Sequence, residues 1–474
     1  MNKNACTPMI VSAAALLGVF VGPARATYVV PQLPAIPAKI FDVVQHGIVA
    51  DGKTDNFKAL QALIDSVSQT GGGVIDFPAA SNPYISAPFV LRNHIDFRVE
   101  SGAKVEPLAY GVYKDTGGTR YPDWLTTTGA QDIALSGHGT IDGNGSAWWS
   151  AFNANGSMPH RPYLINLKYS KRIHVHGLTL QNSPMEHLVL SSDSEVTVDT
   201  VTILCSSSSP NTDGIDPSGV DFLITNDSIS DGDDDIAVKP YVAFCKNITI
   251  THVRCGAGHG ISIGGQTTLG LDSMLVDSCT LTGTTNGLRL KSNRSNGALV
   301  ENLVYENITM RGVKNAFLIT SYYQASGTPA TDPAQPVTAT TPIWKNILFK
   351  NITSTGASSS VEMYGLPEAP VNGIAFQNVT FTGASKGFVM DHVHGLYITG
   401  TTYNGSASLS SMISSEVDVT MGTTGLANRP MVAPFVRGLR VDPLGRPLGA
   451  SWNGLHIGLE VHGTGSATES VQVP

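Results

Sequence analysis

Four short polar segments interrupt a strand-like stretch of the chain between residues 211 and 291. They are NTDG (211–214), GDDD (232–235), GHG (258–260) and RLK (289–291). Together they supply carboxylates, one imidazole and two cations. Neighbouring carboxyl groups can act as the acid and the base of a hydrolysis, and fixed cations can bind an acidic group of a substrate. These residue types indicate cleavage of an acidic sugar polymer.

The spacing of the four segments predicts that they meet in space. Asp213 and Asp234 are 21 residues apart, Asp234 and His259 are 25 apart, and His259 and Lys291 are 32 apart. If each interval is one coil of a stacked repeat, the side chains climb by about 4.8 Å per coil along one face. Arg289 and Lys291 alternate onto that face together, and Leu290 is then expected to point into the core.

The chain around the segments carries the repeat that this spacing needs. The comparable apolar positions Ile173, Val196, Phe222, Ile248 and Met274 are 23, 26, 26 and 26 residues apart. Charged residues make up only 14% of the chain, and 49 glycines are present, a composition typical of many short strands joined by turns. The pattern predicts an all-β, single-domain, right-handed parallel β-helix. A β-sandwich is the alternative.

The start of the chain predicts one exception to the β pattern. Phe57, Leu60, Ile64 and Val67 fall at helical spacing, and the glycines of 71–73 follow them. We expect a short N-terminal helix that covers the open end of the solenoid, because terminal repeats need caps.

Two further features of the sequence concern turns and loops. The triplet Asn-Ile/Val-Thr predicts either stacked asparagine side chains at turns or N-glycosylation sites; it begins at Asn247, Asn307, Asn351 and Asn378. Irregular insertions on one face of a solenoid commonly build a binding wall; here they occupy residues 110–128, 146–160 and 324–341.

The ends of the chain and its charge bound its location and partners. Residues 1–26 have the pattern of a secretory signal, with Lys3, an apolar run and Ala24-Arg25-Ala26. We expect a secreted protein, extracellular or periplasmic, and a monomer. Residues 27–425 are expected to form the catalytic β-helix, and residues 426–474 a cap or tail. The net charge of −8 disfavours nucleic acid and anionic membranes as partners.

The cysteines leave their pairing open. Cys6 leaves with the signal, and the remaining four allow three connectivities or stay as buried free thiols; they are Cys205, Cys245, Cys255 and Cys279. No CxxC motif supports a zinc site. We expect no metal and no cofactor.

The polar segments, in this order and spacing, resemble those of glycoside hydrolase family 28, the polygalacturonases. The resemblance runs from about residue 42 to residue 400. It includes GHGTIDGNGSAWW (137–149), RPYLINL (161–167), QNSPMEHL (181–188), NTDGIDPSG (211–219) and FLITSYY (317–323). It implies the β-helix fold and a pectic substrate, polygalacturonate.

The resemblance also implies roles for the catalytic side chains. Asp233 is expected to be the general acid that protonates the leaving oxygen. Asp213 and Asp234 are expected to hold and deprotonate the attacking water, and His259 to tune the acid. The family inverts the anomeric configuration in one displacement, which needs one acid and one base with room for a water.

The binding residues follow from the same resemblance. Arg289 and Lys291 are expected to bind the galacturonate carboxylate, and Tyr323, with Tyr322 as the alternative, to contact the substrate. Asp235 departs from the family, which has Cys at this position, so either Asp233/Asp234 or Asp234/Asp235 can be the pair that faces the substrate. The residues IAV that follow match the family and favour Asp233/Asp234.

Three other functions remain as alternatives. The first is hydrolysis of a related pectic polymer, rhamnogalacturonan or xylogalacturonan; GHG and R-x-K argue against it, since they indicate a galacturonate at the cleavage point. The second is a calcium-dependent pectate lyase, for which the sequence shows no separate acidic cluster. The third is a carbohydrate-binding β-helix without catalysis.

Overall fold

The protein is a parallel β-helix. The computed structural model describes residues 26, 28–325, 331–406 and 417–422. Within these ranges, 33 strands form one continuous hydrogen-bonded system in which successive strands pair in parallel. Each coil contributes strands to up to three sheets, so neighbouring coils stack strand on strand. The β-sandwich alternative is wrong, because a sandwich is built from antiparallel pairs.

The strands group into three sheets, which we call sheets 1, 2 and 3. Sheet 1 contains Ile40–Asp42, Gly73–Phe77, Ile95–Val99, Gln131–Gly137, Lys171–His176, Cys245–Thr251, Leu271–Asp277, Leu299–Glu306, Val393–Thr399 and Val417–Gly422. Sheet 2 contains Tyr84–Ser86, Lys104–Pro107, Thr140–Asp142, Thr179–Gln181, Thr202–Leu204, Ser228–Ser230, Arg254–Cys255, Thr280–Thr282, Thr309–Arg311 and Thr402–Tyr403. Sheet 3 contains Phe89–Val90, Leu125–Thr128, Ile165–Lys168, Ile236–Val238, Ile261–Gly264, Asn286–Lys291, Asn315–Thr320, Ser359–Tyr364 and Lys386–Asp391. Longer strands bend between sheets: Leu188–Asp199 and Ile215–Thr225 join sheet 3 to sheet 1, and Ile343–Thr355 and Val371–Thr382 join sheet 1 to sheet 2.

The repeated apolar positions in the sequence are the positions that pair across neighbouring strands of sheet 1. Ile173 pairs with Val196, Val196 with Phe222, Phe222 with Ile248, and Ile248 with Met274. All five side chains are buried in one continuous apolar core. The predicted β-helix and its coil length are therefore confirmed.

The helix predicted near the N-terminus is present. The α-helix α1, Phe57–Gln69, buries Leu60, Leu63, Ile64 and Val67 and packs on the first strands of the β-helix. A 3₁₀ turn, Val43–His46, precedes it. The insertion at residues 146–160, expected to be irregular, instead forms the helix α2, Ser146–Ala154, which buries Trp148.

Asparagine ladders connect the coils at their turns. Asn378 donates a hydrogen bond to Asn351 at 3.2 Å, and Asn351 donates one to Asn307 at 3.2 Å. Each of the three has a positive φ, a conformation that asparagine tolerates better than most residues. Asn247 belongs to a different column and bonds Asp221 at 2.8 Å. The stacking prediction is confirmed for three of the four asparagines.

Several predictions concern the termini and the cysteines. The predicted signal and the predicted C-terminal cap or tail lie outside the described residues, apart from residue 26. The four cysteines after residue 26 are free thiols, and all but Cys205 are buried. No helix within the described ranges is long and apolar enough to cross a membrane.

Candidate active site

The outer face of sheet 3 carries the two predicted cations. Ser262 pairs with Arg289 and Gly264 pairs with Lys291 across neighbouring strands. Side chains alternate along a strand, so Arg289 and Lys291 share the outer face. Leu290, between them, is fully buried in the apolar core, as predicted.

The predicted acids and the imidazole lie in the turns just before successive strands of the same sheet. Asp213 precedes the strand Ile215–Thr225, Asp234 precedes Ile236–Val238, and His259 precedes Ile261–Gly264. The coils are in register here, because the Gly214 amide donates to the Asp234 carbonyl at 2.9 Å and the Ile236 amide donates to the Gly260 carbonyl at 3.3 Å. The turns before the strands therefore bring these side chains to one end of the sheet.

Asp234 is the buried centre of the cluster. Its Oδ1 accepts hydrogen bonds from the Arg289 guanidinium and, at 3.0 Å, from the Ser262 hydroxyl; its Oδ2 accepts one from Lys291 Nζ at 2.8 Å. Burial raises the pKa of Asp234, but Arg289 and Lys291 outweigh it and hold the pKa well below its usual range. Asp234 is therefore a fixed carboxylate.

Asp233 faces the cleft beside His259. His259 Nδ1 lies 3.0 Å from Asp233 Oδ1 and 3.8 Å from Asp234 Oδ1. The Asp233 side chain is 23% exposed, against 1% for Asp234. Of these two carboxyl groups, Asp233 is the one that a bound substrate can reach.

The same three residues have the composition of a metal site. The ligand atoms of Asp233, Asp234 and His259 lie within 4.8 Å of one another. However, Arg289 and Lys291 already neutralise Asp234, and two fixed cations this close oppose a divalent ion. The donor set fits acid–base chemistry better than metal binding.

Asp213 is joined to a cation that the sequence analysis did not single out. Lys239 Nζ lies 2.8 Å from Asp213 Oδ2 and 3.4 Å from Asp216 Oδ2. Burial raises the pKa of Asp213, Lys239 opposes this, and the nearby Asp233 and Asp234 raise it further. Burial also raises the pKa of Asp216 well above its usual range. Asp213 is therefore a better proton acceptor than Asp234.

Asp235 points away from the cleft. It is fully buried, and its Oδ2 accepts a hydrogen bond from the Gly260 amide at 2.8 Å. A Cβ at Gly258, where φ is +148°, would lie 2.6 Å from that oxygen. Burial raises the pKa of Asp235 well above its usual range. This geometry favours Asp233/Asp234 as the pair that faces the substrate.

The two tyrosines of the SYY segment differ in their surroundings. Lys291 Nζ lies 4.9 Å from the centre of the Tyr323 ring, a cation–π distance. Tyr322 instead bonds Asp332 through its hydroxyl at 3.1 Å. Tyr323 therefore lies beside Lys291 at the cleft, where a tyrosine that contacts the substrate has to be.

Two cavities adjoin the carboxylate cluster. The C-terminal cavity, about 290 Å³, is lined by Tyr323, Gln324 and Asn293. The N-terminal cavity, about 330 Å³, is lined by residues of earlier coils. Both include Lys239 and Tyr241 in their lining, so they are two parts of one cleft.

Sequence reasoning missed Lys239 and Glu186. Tyr163 and Glu186 stand on the coils before Asp213, in line with it, because the Leu164 amide donates to the Glu186 carbonyl and the His187 amide to the Asp213 carbonyl. Burial and then Asp213 raise the pKa of Glu186 to about 8. The only sequence signal for Glu186 is its position two residues before a sheet 3 strand, which it shares with Asp213 and Asp234.

Comparisons with known proteins place this site in a family. The family model described as glycosyl hydrolases family 28 matches residues 85–403. An endo-polygalacturonase of Pectobacterium carotovorum subsp. carotovorum is 32% identical over 329 residues, which cover 64% of this chain and 79% of that relative.

Solved structures share the architecture. An exopolygalacturonase from Thermotoga maritima has a TM-score of 0.69 at 20% identity, over 79% of this chain and 94% of the other. A polygalacturonase from Erwinia carotovora ssp. carotovora has a TM-score of 0.66 at 24% identity, over 78% of this chain and 99% of the other. At these identities the likeness concerns the fold.

Proposed function

The chain belongs to the glycosyl hydrolases family 28, and from this premise we propose that it hydrolyses the α-1,4-galacturonosidic bonds of polygalacturonate with inversion. It is a glycoside hydrolase of the polygalacturonase family that acts on pectin. The observation that carries the finer proposal is the convergence of three carboxyl groups, an imidazole and two cations on the outer face of sheet 3.

Asp233 is assigned as the general acid. It is the more exposed member of the Asp233/Asp234 pair, so its carboxyl can reach the glycosidic oxygen. His259, at 3.0 Å, orients that carboxyl. Protonation of the leaving oxygen relieves the charge that would otherwise build on it as the bond breaks.

Asp213 and Asp234 have different roles toward the attacking water. Asp234, held ionised by Arg289 and Lys291, can accept a hydrogen bond from the water but has little affinity for its proton. Asp213 has a raised pKa and takes the proton as the water attacks the anomeric carbon. A single displacement of this kind inverts the configuration.

Lys291 and Arg289 also provide the selectivity for an acidic sugar. Lys291 has three N–H donors, and Asp234 takes one of them. Tyr323 beside Lys291 gives a flat surface for the ring of the bound sugar. A galacturonate carboxylate can therefore bind here without displacing Asp234.

The location, domain limits and oligomeric state belong to the same proposal. A signal at residues 1–26 fits an enzyme that meets pectin outside the cell, in the medium or the periplasm. Residues 27–425 are proposed as the catalytic β-helix and residues 426–474 as a cap or tail, in a monomer that needs no cofactor.

The test is Asp233→Asn, with Asp65→Asn on helix α1 as the matched control; the Asp65 side chain is 37% exposed and pairs with Arg92. We expect Asp233→Asn to lower the release of reducing ends from polygalacturonate about a hundredfold or more, because general acid catalysis contributes 10²–10⁴-fold. The control is expected to keep wild-type activity.

Three results would count against the proposal. Full activity of a folded Asp233→Asn protein would refute the assignment of Asp233 as the general acid. An unsaturated product that absorbs in the ultraviolet would show elimination. Faster cleavage of rhamnogalacturonan or xylogalacturonan than of polygalacturonate would change the substrate.

A further inference from the structure

Three stacked turns follow three successive strands of sheet 3, beginning with the strand that carries Arg289 and Lys291. The strands Asn286–Lys291, Asn315–Thr320 and Ser359–Tyr364 pair in that order, so the turns after them are stacked in the same order. Tyr323 lies in the middle turn. Its position therefore depends on the turns on either side of it.

The middle turn is bound to the turn before it. The Tyr323 amide donates a hydrogen bond to the Ser292 carbonyl at 2.9 Å, and the Asn293 side chain donates one to the Tyr323 carbonyl at 3.0 Å. The Tyr323 ring also packs on Gly265, where an added Cβ would lie 2.4 Å from two ring carbons. These contacts fix Tyr323 from the side of the earlier coils.

Arg294, in the first turn, spans the middle turn and pairs with acids beyond it. Its Nε lies 2.6 Å from Glu368 Oε1, in the third turn, and one of its terminal nitrogens lies 2.6 Å from Asp332 Oδ2. Asp332 also accepts a hydrogen bond from the Tyr322 hydroxyl at 3.1 Å. Arg294 therefore joins two turns that are two coils apart and fixes the middle turn through Tyr322.

The burial and charge of these groups distinguish them from an exposed ion pair, which contributes little. The side chains of Glu368 and Asp332 are 5% and 13% exposed, and that of Arg294 is 24% exposed. Arg294 lowers the pKa of Asp332; burial raises the pKa of Glu368, but Arg294 outweighs burial and lowers it. Two ionised carboxylates thus face one guanidinium, which leaves Arg294 no excess charge for binding a galacturonate.

We propose that Arg294 is a positioning residue for the tyrosine that contacts the substrate. By pairing with Asp332 and Glu368, it keeps the turn that carries Tyr323 in one arrangement, with the ring beside Lys291, before the sugar binds. Of the described residues, Tyr323 lines the C-terminal cavity and Arg294 does not, so Arg294 acts on the substrate through Tyr323. This inference rests on the proposed function, in which Tyr323 contacts the bound sugar.

The test measures kcat and KM on polygalacturonate for Arg294→Gln, for Tyr323→Ala and for the double variant. The matched control is Arg98→Gln on sheet 1. Arg98 also pairs with two acids, Asp76 at 2.8 Å and Glu100 at 3.0 Å, and its side chain is 26% exposed. Thermal unfolding verifies that each variant is folded.

The separate changes in KM and kcat decide the outcome. We expect Arg294→Gln to raise KM about fivefold to tenfold and to leave kcat unchanged, because an aromatic contact made equally before and during the reaction contributes to binding alone. Tyr323→Ala should raise KM at least as much. The double variant should be no worse than Tyr323→Ala, because residues that act through one contact do not add. Asp332→Asn, which leaves Arg294 in place, should raise KM less.

Four results overturn the positioning role. They are an unchanged KM for folded Arg294→Gln, a double variant whose loss is the product of the two single losses, an unchanged KM for Tyr323→Ala, and an equal rise in KM for Arg98→Gln. If Arg294→Gln does not fold, the same comparisons are made with Asp332→Asn. Absence of cleavage by the wild-type protein refutes the proposed function instead.

Discussion

Replacement of Lys239 by Met is the sharpest test of how the cleft controls the pKa of the proposed base, Asp213. Lys239 is the partner of both Asp213 and Asp216, and its side chain is only 17% exposed. Without this cation, burial and the neighbouring carboxylates act on Asp213 unopposed. The pKa of Asp213, already raised, rises further, so the base becomes protonated at higher pH.

The structure sets the scale of the effect. Opposite unit charges at the 2.8 Å that separates Lys239 Nζ from Asp213 Oδ2 interact by roughly 6 kcal/mol at an effective dielectric constant of about 20. If a quarter of this remains after relaxation and water entry, kcat/KM on the acidic side of the optimum falls about tenfold, because about 1.4 kcal/mol is tenfold in rate.

The assay is the pH profile of kcat/KM on polygalacturonate. We expect the acidic limb of Lys239→Met to move to higher pH and the rate to recover as pH rises. Lys239→Arg should restore much of the wild-type profile, since it keeps the charge. Lys246→Met removes the same group from an exposed ion pair with Asp272 and should change nothing. An unmoved acidic limb in a folded Lys239→Met protein would refute the reasoning.

Two other predictions concern carboxyl groups with raised pKa values. Asp235→Asn should stabilise the protein at pH 7 by about 1–3 kcal/mol, the scale for a buried polar group that lacks a full set of partners. Because a raised folded-state pKa costs stability as pH rises above the unfolded value near 4, the gain should vanish below pH 4. An equal gain for the exposed Asp115→Asn, measured by thermal unfolding, would contradict this prediction. Glu186→Gln should keep the wild-type kcat/KM near pH 6 and should weaken the decline of kcat/KM above pH 8. The pKa of Glu186 is about 8, so ionisation of Glu186 places another negative charge beside Asp213 in the wild-type protein only. An unchanged alkaline limb would contradict this prediction.

The fold could be predicted because its signal is local and repeated. Ile173, Val196 and Phe222 mark the same position on successive coils, and the interval between them is the pairing register itself. A parallel β-helix buries one side chain at each such position, so apolar spacing and topology carry the same information. Helix α2 was missed because its buried face consists mainly of Trp148, which gives no periodic pattern.

The residues of the site could be predicted only where their spacing in the sequence matches the length of one coil. Asp213, Asp234 and His259 recur one coil apart, and alternation places Arg289 and Lys291 together. Their ion pairs could not be read from spacing, because Arg289 and Asp234 are 55 residues apart.

Lys239 and Asp216 show the same limit on prediction. Asp216 pairs with Lys239, which lies on the next coil. Two single residues of ordinary type, brought together only by stacking, leave no motif in the sequence.

The balance of charges in the cleft accounts for the raised pKa values of its buried carboxyl groups. Four carboxyl groups face three cations; these are Asp213, Asp216, Asp233 and Asp234 with Lys239, Arg289 and Lys291. Acids in excess of cations in a buried cluster cannot all ionise. Arg289 and Lys291 hold the pKa of Asp234 low, while burial raises the pKa of Asp216 and of Asp213 despite Lys239.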